Sequence, residues 1–271
     1  MRSLILRKGG LFLALSVLIA ALLPAPAQAL SQFKVAPSTV WGHTYAGKAI
    51  GTATTTPPKV FNLEAKSKFV VNYKNFPEWA KKDFQSAVDI WAANFASNAP
   101  ITIDATWGRS PSWGVLGSAR PGNYYSGFDG APDQSLWYPS ALANALAGKD
   151  LDPANPDMVI QINSLASWNT RNDGTPRANE YDLPSVFLHE MAHGLGFLST
   201  DSYDSFFGYG NIEQPTPYTA YAQLPDGRRL SDLPSPSIEL GKALTSTLLW
   251  SGQNGNAANG GEKIVLYTPA K

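Results

Sequence analysis

The chain of 271 residues contains no cysteine. Disulfides therefore contribute nothing to its stability, and neither a thiol nucleophile nor a cysteine-ligated metal site can be built. An inhibitory thiol switch is excluded for the same reason. Histidine is nearly as scarce, with three residues, His43, His189 and His193. The chain also lacks any excess of charge, with 21 Lys and Arg against 21 Asp and Glu. No basic arm or stripe is visible, so nothing suggests a nucleic-acid partner. Beyond the N-terminus no apolar run approaches the roughly 20 residues that cross a bilayer. There is no internal repeat and no heptad array. Whatever chemistry the chain performs must come from histidine, carboxylates, hydroxyls or a metal.

What is present begins with an export signature. Arg2, Arg7 and Lys8 form a positive start, Leu11 to Leu23 an apolar run, and Ala27-Gln28-Ala29 a small-x-small cleavage pattern. Residues 1–29 are thus expected to be a signal peptide, which makes the mature protein secreted or periplasmic and leaves no membrane contact after cleavage. Residues 30–58, rich in Thr, Gly, Ala and Pro, read as an N-terminal extension with a weak hairpin around Gly42 to Gly51. Whether this extension acts as an inhibitory pro-segment is left open.

Periodicity organises the rest. Lys68 to Tyr73 is β-prone. From Pro77 to Ala96, Trp79, Phe84, Ala87, Val88, Trp91 and Phe95 recur at three- and four-residue steps, which predicts an amphipathic helix. Ile101 to Trp107 alternates as a strand. Gly108 to Asp157 reads as mostly irregular, with one helix over Ser140 to Ala147. Met158 to Asn163 is strand-like. Leu183 to Leu195 reads as a helix capped by Asp182, with Pro184 in its first turn and Gly194 and Gly196 where it should stop. A further helix is expected over Ser237 to Leu249, then an Asn/Gly-rich turn and a strand over Lys263 to Tyr267. Strands and helices in this order imply an α+β fold with one twisted mixed sheet, a domain over residues 59–210 and a small irregular lobe over 211–271.

The strongest chemical signal is His189-Glu190-Met191-Ala192-His193. Residues four apart on a helix share a face about 6 Å apart along the axis. Two imidazoles so placed converge on one tetrahedral ion, with metal–nitrogen bonds near ~2.0 Å. Glu190, projecting to one side, accepts a proton from water activated by the metal. Such a pattern arises by chance in roughly one chain in a hundred of this size. Here it falls on a predicted helix whose other face is apolar, and that favours a zinc site.

From His189 to Phe197 the sequence HEMAHGLGF resembles the extended motif of metzincin zinc peptidases. It is most similar to secreted bacterial proteins with an HExxHGLGF core. The resemblance spans roughly Phe69 to Phe207. It implies a zincin-like domain with a backing helix and an active-site helix, zinc ligands at His189 and His193, the general base at Glu190, and a turn glycine at Gly196. It also implies that Met158 to Asn163 is the edge strand along which an extended protein or peptide substrate pairs. The pattern departs at the third ligand, where Ser199 stands, and no methionine follows the motif. Asp201 and Asp204 are the candidates to replace that ligand, with Glu213 weaker. A ligand beyond Lys271 is the alternative, on the expectation that the chain is truncated. His43 reads more simply as a surface or hairpin histidine.

Weaker signals remain. Tyr203, Tyr209 or Tyr218 could stabilise an oxyanion, but aromatic packing explains each as well. Asp129 to Asp133 and Asp150, Asp152 and Asp157 are candidate calcium turns without the spacing of a dedicated calcium loop, and Asx turns explain them more simply. Among the eight tryptophans, Trp79 and Trp91 belong to a helix core, while Trp107, Trp113, Trp137 and Trp168 lie in or beside loops. The reading reached is an exported zinc metalloendopeptidase. Its alternatives are a non-catalytic exported binding or adhesion domain that keeps the same helix, and a zinc hydrolase acting on other amides. Substrate specificity and oligomeric state are not encoded in any pattern found.

Overall fold

The structure is a computed structural model that describes residues 33–46, 64–171, 173 and 175–266. The expected signal peptide lies outside the described residues, as does the segment 47–63. Two short strands come first, β1 (Lys34–Pro37) and β2 (Gly42–Tyr45). They are followed by β3 (Phe69–Lys74), helix α1 (Glu78–Asn94), β4 (Ile101–Gly108), β5 (Val115–Pro121) and β6 (Asn123–Ser126). Next come β7 (Tyr138–Pro139), α2 (Ser140–Ala147), β8 (Met158–Asn163) and α3 (Leu183–Gly194). The remainder comprises β9 (Ser202–Tyr203), β10 (Gly210–Asn211), α4 (Pro217–Tyr221), β11 (Ala222–Gln223), α5 (Ile238–Leu244), β12 (Leu248–Trp250), α6 (Gln253–Ala258) and β13 (Val265–Leu266).

The fold is α+β around a mixed five-stranded sheet of order β2-β5-β8-β4-β3. Strands β3, β4 and β8 run parallel, whereas β5 is antiparallel to β8 and β2 antiparallel to β5. Helix α1 forms because its apolar residues repeat at helical spacing. Ala80, Phe84, Ala87 and Val88 are buried, and with them Asp83, while Lys82, Gln85 and Asp89 face outward. Its core face meets α3 and the sheet. Ile101 and Ile103 of β4 and Met158, Ile160 and Ile162 of β8 are all buried there, the one-face alternation expected of a half-covered strand. Phe84 and Phe187 lie 4.5 Å apart between their ring centroids. That contact fixes α3 against α1.

Gly42 to Tyr45, the start of the expected hairpin, joins the central sheet as the neighbour of β5, and residues 47–51 of that hairpin lie outside the described residues. Three other expectations are corrected. Gly108 to Asp157 carries the strands β5, β6 and β7 in addition to the expected helix α2. Strand β5 reads Val-Leu-Gly-Ser-Ala-Arg-Pro, in which Gly, Ala and Pro are poor strand formers, yet nearly every position is buried. Strand β8 is not an edge, since β5 and β4 flank it on either side. The antiparallel partner came from the stretch whose Gly, Ser and Pro content hid it. In the C-terminal part, helix α5 ends at Leu244, and Leu248–Trp250 becomes a strand between β11 and β13.

A second apolar cluster holds that C-terminal part, built from Ala222, Leu230, Leu233, Leu240, Ala243, Leu248 and Leu266. No helix among the described residues is long and apolar enough to cross a membrane.

Candidate metal centre

Helix α3 presents the HExxH residues. Asp182 caps it, its carboxylate accepting from the Ser185 backbone N–H and hydroxyl at 3.1 and 2.6 Å. Val186, Phe187 and Met191 hold one face in the core, which leaves His189 and His193 on the other. The helix stops in a Schellman motif. The Gly196 N–H donates to the His193 carbonyl, and the Phe197 N–H donates to the Ala192 carbonyl at 2.9 Å. Gly196 takes a φ of 107°, and a β-carbon there would lie 2.3 Å from Pro139. Gly194 is pressed against Met158 in the same way. Both glycines of the motif are therefore required by backbone geometry and packing.

The turn has a direct effect on the site. It brings the Phe197 carbonyl back to His193, where it accepts a hydrogen bond from Nδ1 at 2.9 Å. With its proton at Nδ1, His193 presents the Nε2 lone pair outward. Nε2 of His193 lies 2.9 Å from Nε2 of His189. Two nitrogens bound to one tetrahedral ion through bonds of ~2.0–2.1 Å sit about 3.3 Å apart. The pair fits such an ion with a small opening. Burial and the neighbouring His193 lower the His189 pKa to about 4. The His193 pKa is lowered as well, chiefly by burial. Both rings are thus neutral at pH 7, the state a metal ligand requires.

Glu190 is fully buried. Its Oε1 accepts from both the Thr44 N–H and the Thr44 hydroxyl, at 3.0 and 2.6 Å. Its Oε2 is buried and has no hydrogen-bond partner. Burial pushes its pKa up to about 7, and the Thr44 bonds offset only part of that rise. An orphaned buried carboxylate oxygen costs ~1–3 kcal/mol or more, so it marks a place where water or an ion belongs. Room for this carboxylate is made by Gly117 of β5, where a β-carbon would come within 2.9 Å of Glu190 Cγ and Oε1. Gly42 does the same for His193.

Gly42, Thr44 and Gly117 were not legible as site residues. Nothing in a Thr/Gly-rich segment or in the low-propensity β5 distinguishes these positions until the strands are paired.

The candidate third ligands go elsewhere. Both Asp201 oxygens accept from the Thr219 hydroxyl, and Oδ2 also accepts from Ser199. Asp204 accepts from the Phe206 and Phe207 backbone N–H groups, turning the β9–β10 connection. Glu213 accepts from Asn211. His43 is exposed, on the face of β2 opposite to Gly42 and Thr44 by strand alternation, beside Tyr45. Among the described residues no group of three or more His, Asp or Glu could hold a metal ion.

The tyrosines and acidic turns take mostly structural parts. Tyr218 packs edge-on to Phe197 and near Trp250, with its pKa pushed to about 12 by burial and then by Asp201. Tyr203 pairs with Gly210, and Tyr209 is exposed. Asp133 accepts from the Ser135 N–H and hydroxyl, and Asp157 from Thr102 and Asn144. These are turn and strand ties. Trp91 donates to the Leu188 carbonyl, Trp107 packs edge-on to Trp79, and Trp113 is exposed.

No curated protein and no solved structure matches the chain. One family profile does, over residues 46–213, beginning directly after β2 and running past the HExxH helix. That stretch is more than half of the sequence, and the chain belongs to the SPBPB7E8-like family.

Proposed function

We propose that the protein is an exported, zinc-dependent peptidase of zincin-like fold, with His189 and His193 as metal ligands and Glu190 as general base. One observation carries this reading. Two neutral imidazoles hold their Nε2 atoms 2.9 Å apart, beside a fully buried carboxylate with one unpartnered oxygen. Zinc held by that pair would supply the Lewis acidity that activates water and polarises a carbonyl.

The chain's own residues do the rest. The Phe197 carbonyl fixes the His193 tautomer and ring. Glu190 takes the proton of the attacking water on Oε2 and returns it to the leaving amine. A carboxyl pKa near 7 suits both transfers at neutral pH. Gly42 and Gly117 keep β2 and β5 close enough to exclude bulk water from the carboxylate.

A second reading is a non-catalytic binding domain that retains the helix. It is favoured by the absence, among the described residues, of a third ligand. Metal analysis of the purified mature chain, followed by a generic peptide-release assay, separates the two. Stoichiometric zinc with chelator-sensitive cleavage supports the peptidase. Zinc without cleavage, or no zinc at all, supports the binding domain.

A further inference from the structure

We infer that Thr44 is a positioning residue for Glu190, and that strand β2 is a permanent wall of the site. This inference rests on the peptidase reading above. The N-terminal segment could equally have been a removable cover, because β2 takes the outer edge of β5, where an extended substrate would otherwise pair. The details of the contact favour the wall.

Three relationships converge on it. Thr44 stands opposite Gly117 in the β2–β5 register, and Gly117 is the residue that leaves room for the Glu190 side chain. The register shifts between Thr44 and Tyr45, and there the Thr44 N–H turns to the carboxylate, joined by its hydroxyl. Two residues earlier on the same face, Gly42 lies against the His193 ring. A cover that is shed would have no need to be shaped to both side chains at once.

The consequence is a division of labour within one carboxylate. Two donors on Oε1 stop the group from rotating about its terminal torsion. Oε2 is then always the oxygen left to handle a proton. A carboxylate free to turn would spend part of its time with neither oxygen in place, and misplacement of that kind is costly.

The test compares Thr44→Val, which keeps the shape and loses the hydroxyl, with Thr44→Ser, which keeps the hydroxyl. Both are made in the full chain and loaded with zinc. Thr44→Val should lower kcat by about ten- to a hundredfold, as loss of an outer-shell partner does, with KM and zinc stoichiometry little changed. Thr44→Ser should recover most of that loss. A Thr44→Val protein as active as the parent or more active would overturn the proposal, the latter outcome identifying β2 as a cover.

A readout without turnover keeps the two readings separate. In metal-free protein labelled at glutamate carboxyls, the infrared band assigned by Glu190→Gln should shift in Thr44→Val and stay in place in Thr44→Ser. An unmoved band in Thr44→Val refutes the clamp whatever the activity. An inactive parent whose band shifts as expected refutes the peptidase reading and leaves the clamp standing.

Discussion

The Cα of Gly42 sits so close to the imidazole of His193 that a β-carbon on it would lie 2.2 Å from Cδ2 and 2.3 Å from Cγ. Strand and ring therefore cannot both keep their places if residue 42 carries any side chain.

Gly42→Ala is expected to push His193 out of register with His189. Overpacking of this kind costs ~1–3 kcal/mol, and a displaced ligand should weaken zinc binding by about tenfold or more. Denaturant unfolding and a competitive zinc titration measure the two effects. Gly108→Ala is the control, because its nearest neighbour would be 3.9 Å away. Equal behaviour of the two variants would remove the steric argument.

Glu190→Gln is expected to retain zinc and lose turnover by about 10²–10⁴-fold, the usual contribution of a general base. The amide keeps an oxygen for Thr44 to donate to but cannot take up a proton. Metal analysis alongside single-turnover cleavage checks both halves, and an active variant would dismiss Glu190 as the base.

Asp201→Ala should leave zinc affinity unchanged and weaken the C-terminal part. Its carboxylate, with a pKa raised to about 6 by burial, ties Ser199 to Thr219 of α4. Truncation orphans those hydroxyls at ~1–3 kcal/mol. Thermal unfolding reads the loss. A large fall in zinc affinity would instead return Asp201 to the ligand set.

Asp83 offers a pH test away from the candidate metal centre. It is 2% exposed on α1, and burial, then repulsion from Asp182, raise its pKa to about 6. The folded state thus holds this proton more tightly than the unfolded chain does. Its favourable contribution is complete below about pH 4 and is lost as pH rises through 6. Asp83→Asn cannot ionise, so its stability relative to the parent should rise across that window by about 2–3 kcal/mol and then level off. Denaturation midpoints of both proteins at pH 4, 5, 6 and 7 check this. A constant difference would show that the carboxyl is not perturbed.

Local patterns carried much of the architecture. The spacing of Phe84, Ala87 and Val88 specified α1, and the alternation of Ile101 and Ile103 specified β4. Asp182, Pro184 and the glycine pair delimited α3 to within a residue. Each of these signals lies within one turn or one strand, so neighbouring residues suffice to read it. Strand β5 was invisible because the features that make it fit there, small side chains packed beneath α3, are the ones that lower strand propensity.

The candidate site divides along the same line. His189, Glu190 and His193 could be read from sequence because helical geometry places residues one and four apart without help from the rest of the chain. Tertiary structure alone decided that Thr44, 146 residues away, holds Glu190, that Gly42 and Gly117 make space for the pair, and that Asp201 turns to Thr219 instead of the imidazoles. Such contacts depend on which strand pairs with which. That choice is set by burial over the whole core, so no single segment encodes it.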